Sequence, residues 1–177
     1  MGLRASRLTF WTLFVGMLVI DQLVKMAMRA NFALGQSQTL IPGVLDLNLQ
    51  YNEGIAFGKL QGFGIYLAPI AIVIAVGAVL FTYKHPRESA WTHASMGLLA
   101  SGALGNMIDR IALGRVTDMF ETRFVKFPVF NVADTCITVA AAILIVKWGL
   151  EGLVRKDAHQ DEPSEPPASP PTYPEVS

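Results

Sequence analysis

The sequence predicts a membrane α-helical protein, with four transmembrane helices and a small β-sheet in the first outer loop. Three observations carry that reading. Apolar residues make up 52% of the 177 and charged residues only 16%, which is too greasy for an average soluble domain and too short for two sizeable ones. The apolar residues also gather into four runs, Leu8 to Met28, Ile65 to Tyr83, Trp91 to Ile108 and Val132 to Trp148. Each is roughly 17 to 21 residues, enough at about 1.5 Å per residue to cross a hydrocarbon layer of about 30 Å, the shortest only with local thinning. Finally, Leu45-Asp46-Leu47-Asn48-Leu49-Gln50-Tyr51 alternates apolar and polar without a break, the period of a half-buried strand.

Arg4 and Arg7 precede the first run in the manner of a signal peptide. The run is too long for such a segment, and Ala27, Ala30 and Ala33 are spaced by three and form no A-x-A site, so the first helix is expected to be retained. With both termini inside, the inner segments hold Arg4, Arg7, Lys84, Arg87, Lys147, Arg155 and Lys156. The outer ones hold Arg29, Lys59, Arg110, Arg115, Arg123 and Lys126, with Lys25 in the first span. The excess inside is a single residue, and the charge before the first helix sets the orientation.

The outer loop, about residues 31–64, reads as a hairpin lying at the membrane surface, its leucines toward lipid or core and Asn48 toward water. Gly54, Gly58, Gly62 and Gly64 follow, and the first two would let the next segment bend over the site as a lid. The second span is uncharged and contains Pro69 and Gly77, which neighbouring helices can accommodate. In the third, Gly97, Ser101 and Gly105 form a four-residue stripe that would admit another helix closely. Residues 1–156 are thus expected to form the transmembrane domain. Residues 157–177, with six prolines between Pro163 and Pro174, read as a disordered cytoplasmic tail.

Composition also excludes chemistries. A formal net charge of zero gives no bulk attraction for nucleic acid. Cys136 is the only cysteine, which rules out an internal disulfide and makes it core filler. His85, His93 and His159 form no pair with ligand spacing, so no metal or other cofactor is expected, and His93 reads as a packed residue. Ser95 and Ser101 have no lysine nearby in sequence to activate them.

The unusual polar residues gather where the chain emerges on one side of the bilayer. Asp21 and Lys25 stand one turn apart near the exit of span one, as a structural i, i+4 ion pair. Asn106, Asp109 and Arg110 close span three, either ending that helix or bracing a site. Asn131, Asp134, Thr135 and Thr138 share a face at the entry of span four, where Asn131 could equally be an N-cap and Asp134 could favour the helix dipole. With Asn52 and Asp118 in the loops on that side, one polar cluster can form. A carboxylate at the mouth of an apolar span is a functional candidate. A second one sixteen positions upstream in sequence makes a pair able to divide one proton between acid and base roles.

Asp21-Gln22-x-x-Lys25, Tyr51-Asn52-x-Gly54-x-Ala56-Phe57-Gly58, Gly102-Ala103-Leu104-Gly105-Asn106-x-x-Asp109-Arg110, Val116-x-Asp118 and Phe130-Asn131-x-Ala133-Asp134-x-x-Ile137 follow one another in order. In this the chain closely resembles lipoprotein signal peptidase, or signal peptidase II, from about residue 8 to 150. The resemblance implies a four-helix aspartic peptidase of the bacterial inner membrane with a periplasmic sheet, both termini in the cytoplasm and its active site on the periplasmic side. Such an enzyme removes the signal peptide of diacylglyceryl-modified prolipoproteins just before the lipidated cysteine. The resemblance assigns catalysis to Asp118 and Asp134 and points to Asn52, Gly54, Asn106, Asp109, Arg110, Asn131 and Ala133 as lining or supporting residues. It further implies inhibition by cyclic peptides of the globomycin type and contact with membrane lipids; a monomer is expected. Ile55, Ser101, Thr117 and Met119 depart from the commonest pattern, and the tail lies outside it. The alternative from a different class is a small proton-coupled transporter or structural membrane subunit, with Asp21, Asp118 and Asp134 lining an ion path.

Overall fold

The computed structural model describes residues 3–54 and 64–160. Gly58, Gly62 and the bending segment expected around them lie outside the described residues, as does the proline-rich stretch 161–177. Four α-helices and a three-stranded sheet follow in the order α1 (Leu3–Asn31), β1 (Ser37–Ile41), β2 (Leu45–Asn52), a 3-10 turn (Gly64–Leu67), α2 (Ala68–Lys84), α3 (Ala90–Leu113), β3 (Val116–Thr122) and α4 (Val132–Gln160). Helix α4 thus runs past residue 157, where the tail was expected to begin. Residues Met1–Ile145 form one compact unit, which holds all the candidate site residues, and Val146–Ser177 a second.

Helix ends follow local chemistry. Ser89 caps α3 by accepting the Thr92 N–H at 3.2 Å, and Gly114, at φ 71°, takes the left-handed position that closes the same helix. Pro69 lies in the first turn of α2, where its missing N–H breaks no helical bond.

Small residues set how closely the helices approach. A Cβ on Gly97 would lie 2.7 Å from the Phe10 carbonyl oxygen of α1, and one on Gly105 would lie 2.6 Å from Asp21 Oδ2. The predicted stripe therefore faces α1. Gly102, outside that stripe, faces α4: a Cβ there would collide with the Ala133 carbonyl oxygen. Helix α2 turns Ala71, Ala75 and Ala78 inward, the last two into a cluster with Phe10 and Ala100, while Ile70, Ile72, Val73 and Val76 are exposed. Small residues inside and large apolar residues outside is the pattern of a helix packed in lipid. By length and composition, Arg4–Asn31 and Val132–Leu150 can cross a membrane, and α2 is apolar but shorter.

The sheet departs from expectation in membership and in face. Its order is β1-β2-β3, antiparallel throughout, so the third strand comes from the segment between α3 and α4 and not from the first outer loop. Residues Val116, Thr117, Asp118 and Met119 are all buried, and a strand covered on both faces leaves no alternation to read. Leu49, Met28 and Met119 form an apolar cluster against which Leu47 packs, as expected of the leucine face. The opposite face is not simply wet: Asp46 is 4% exposed and paired with Arg123 at 3.1 Å. Asn48 is half-buried, donating to Glu121 at 2.8 Å, beside a register irregularity between Leu47 and Gln50.

Candidate active site

Helix α1 presents Asp21, Lys25 and Arg29 four residues apart on one face. Lys25 Nζ lies 3.0 Å from Asp21 and 3.8 Å from Asp109, with both partners of each pair buried. It also donates to the Gly105 carbonyl at 3.3 Å and to Asn106 Oδ1 at 3.0 Å. The expected ion pair is therefore present, as one limb of a larger buried network. Asp21 does a second job: its Oδ1 accepts the Ala133 N–H at 2.9 Å, fixing the first turn of α4 against α1.

Asp109 does not end its helix, which continues to Leu113. Its Oδ2 accepts the Thr117 N–H at 2.8 Å, while Arg29 reaches Asp109 Oδ1 at 3.4 Å and Thr117 Oγ1 at 2.9 Å. Together they hold the start of β3 one residue before Asp118. Arg29 and Thr117 were given no part in the site from sequence. Arg29 was legible as the next step of the Asp21, Lys25 stripe; Thr117 was not, because its contact depends on how β3 packs.

Asp118 and Asp134 belong to different elements, and the chain between them is folded back on itself. Phe130 accepts the Met119 and Phe120 N–H groups through its carbonyl at 3.0 and 2.8 Å and donates its own to Phe120 at 3.1 Å. That isolated bridge brings the start of α4 alongside β3. Asn131 then joins the two carboxylates. Its Nδ2 donates to Asp118 Oδ1 at 2.7 Å and its backbone N–H to Asp134 Oδ2 at 3.2 Å. Its Oδ1 meanwhile accepts the Asp134 N–H at 2.9 Å, so Asn131 caps α4 and contacts both carboxylates at once. Asn106 Nδ2 supplies the other oxygen of Asp134 at 2.7 Å.

Asn52 ends β2 opposite Val116, two residues before Asp118 on β3, and accepts the buried Gly54 N–H through its side-chain oxygen at 3.0 Å. Arg110 is 9% exposed, its Nε has no hydrogen-bond partner, and Asp134, Asp118 and Asp109 are the charges acting on it. Thr135 and Thr138 contribute less than their position suggested, since their hydroxyls donate to the Asn131 and Asp134 carbonyls of their own helix. Cys136 and His93 are buried.

Asp118 sits outside the helices and is 3% exposed. Burial first, and the neighbouring Asp134 charge second, push its carboxyl up to about 7, against opposing pulls from Asn131, Asn52 and Lys25. A carboxyl poised there can hold or release a proton near neutrality, as acid–base chemistry requires.

Comparison with known proteins agrees with this architecture. The model of the family described as signal peptidase (SPase) II matches residues 13–149. The chain belongs to the signal peptidase II family. Among curated relatives, the lipoprotein signal peptidase of Streptococcus pneumoniae is 39% identical over 127 residues, covering 72% of this chain and 83% of its own. That of Gloeobacter violaceus is 35% identical over 157 residues, covering 89% and 88%. A bacterial membrane enzyme solved by the in meso method at 2.3 Å resolution superposes with a TM-score of 0.75 at 29% identity, covering 89% of this chain and 94% of that one. A second, at 1.9 Å, gives 0.72 at 31% identity, covering 79% and 92%. Membership of a peptidase family favours the enzyme over the transporter that sequence alone left open.

Proposed function

We propose that this signal peptidase II family member is an aspartic endopeptidase that removes the signal peptide from diacylglyceryl-modified prolipoproteins, cutting just before the lipidated cysteine. The observation that carries the reading is the joining of two carboxylates, the buried Asp118 and the half-buried Asp134, through one asparagine. Both oxygens of Asp134 accept N–H donors, which favours its charged form, and burial pushes the Asp118 carboxyl up to about 7. Asp118 therefore serves as the acid and Asp134 as the base, the proton belonging to the pair more than to either. Asp134 takes a proton from water, whose oxygen attacks the scissile carbonyl as Asp118 donates to the carbonyl oxygen. The resulting diol collapses as the C–N bond breaks and a proton passes to the leaving amine, with no acyl-enzyme. Asn52, Asn106 and Asn131 hold the pair, and Arg110 offers a buried cation beside it.

The four α-helices are all membrane spans in this reading, α2 and α3 included, with both termini in the cytoplasm and the site at the periplasmic side of the inner membrane. The sheet then lies at the surface, where a lipid-anchored substrate has one end already positioned. Sensitivity to globomycin-type cyclic peptides, contact with membrane lipids and a monomeric state belong to the same proposal. The test is incubation of the purified protein with a lipid-modified prolipoprotein and with its unmodified precursor. Release of the signal peptide from the first alone supports the proposal; equal cleavage of both, or of neither, overturns it.

A further inference from the structure

Lys25 is fully buried and stands one side chain removed from Asp134, through Asn106, and two from Asp118, through Asn106 and Asn131. We propose that Lys25 is a positioning residue for Asp118 and Asp134, acting through the side-chain amide of Asn106; the inference rests on the aspartic-pair reading above.

A carboxamide has one accepting end and one donating end, and its partners decide which way it points. An ammonium can only donate. With Lys25 Nζ 3.0 Å from Asn106 Oδ1, the oxygen is held toward α1, and Nδ2 is aimed at Asp134 Oδ1, 2.7 Å away. The same oxygen accepts Asn131 Nδ2 at 3.0 Å. That nitrogen also donates to Asp118 at 2.7 Å, while Asn131 Oδ1 is committed to the Asp134 N–H. One ammonium thus orients two amides, and each amide delivers an N–H to a different carboxylate. A flipped Asn106 would set an oxygen against Asp134 and an NH2 against the ammonium, two repulsions in a low-dielectric site.

The charge of Lys25 bears on the pair as well as its geometry. The titratable side chains that α1 and α3 bring around the pair are Asp21, Lys25 and Arg29 on the first and Asp109 and Arg110 on the second. Lys25 adds a cationic pull that lowers the Asp118 carboxyl, behind the larger pull of the hydrogen bond from Asn131. Without it, the Asp118 carboxyl rises further above about 7.

The experiment is a pH–rate profile, with kcat and KM separated, for Lys25→Met and for the double variant Asp21→Asn/Lys25→Met, each in detergent with a thermal melt to count folded protein. The double variant guards against a lone buried carboxylate at Asp21 preventing folding, since an Asn oxygen can still accept the Ala133 N–H. Expected per folded molecule is a loss of about tenfold or more in kcat with KM within about threefold, and an alkaline limb moved up by at least about half a pH unit. In an Asn106→Ala background the same Lys25 change should lower kcat by less than about threefold. An unmoved profile, an undiminished effect in that background, or failure of the double variant to fold makes Lys25 a structural residue only and overturns the inference. Asp118→Asn and Asp134→Asn are assayed alongside. Turnover by either defeats the aspartic-pair reading itself, whereas two inactive variants with an unmoved Lys25 profile defeat only the role of Lys25.

Discussion

Asp118 is the residue whose surroundings make the sharpest demands. An ordinary aspartate is ionised at neutral pH; buried beside Asp134, this carboxyl stays protonated up to about 7. If it is the acid, kcat declines as pH rises through that value, so a pH–rate profile is expected to show an alkaline limb near 7. Stability carries the same sign. A carboxyl raised above its unfolded value binds its proton more tightly when folded, so its contribution is fully present below about 4 and is lost as pH rises through about 7. Asp118→Asn should therefore melt several degrees higher than the parent at pH 8, from a difference on the order of a few kcal/mol, and the gap should close toward pH 5. Equal melting at both pH values would mean that Asp118 is not perturbed by its burial. The pairing of Asp118 with Asp134 was legible in the sequence because so few charges enter the apolar runs. The part played by Arg29 was not, since a basic residue at a helix exit is ordinarily a solvated one.

At the scale of elements, the helices were the legible part and the sheet the deceptive one. Four apolar runs gave four helices within about five residues at every end but the last, where α4 continues from Trp148 to Gln160, because length and composition act locally. Strand β3 escaped because burial on both faces removes the period that betrays a strand, and the polar face of β2 misled because Asp46 and Asn48 find partners where water was expected. Asn48→Asp is therefore predicted to destabilise the sheet by about 1–3 kcal/mol, setting a carboxylate against Glu121. A melt unchanged by that substitution would return Asn48 to the solvent. Helix packing offers a paired test. Gly102→Ala drives a Cβ into the Ala133 backbone, next to Asp134, and should lower both melting temperature and kcat, with about 1–3 kcal/mol lost. Gly77→Ala meets nothing within 4 Å and should be neutral or stabilising by up to about 1 kcal/mol. Similar melts for the two would show that close approach of α3 to α4 is not what Gly102 provides.

For the molecule as a whole, chemistry and tail are predicted to be separable. Deleting residues 161–177 is predicted to leave cleavage nearly unchanged, because every group in the carboxylate network lies within residues 21–134; a large loss with the melt preserved would give the tail a function. The family was legible from five ordered motifs, and its helices from hydropathy. What hydropathy could not supply was the closure of β3 onto Phe130, a contact between segments that only the folded chain brings together. The most direct measurement compares the parent with Asp118→Asn and Asp134→Asn, each purified folded and incubated with a lipid-modified prolipoprotein. The amide preserves shape but cannot exchange the proton, so the parent should release the signal peptide while both variants release none above background. Substantial turnover by either variant would show that the peptide bond is broken without this pair.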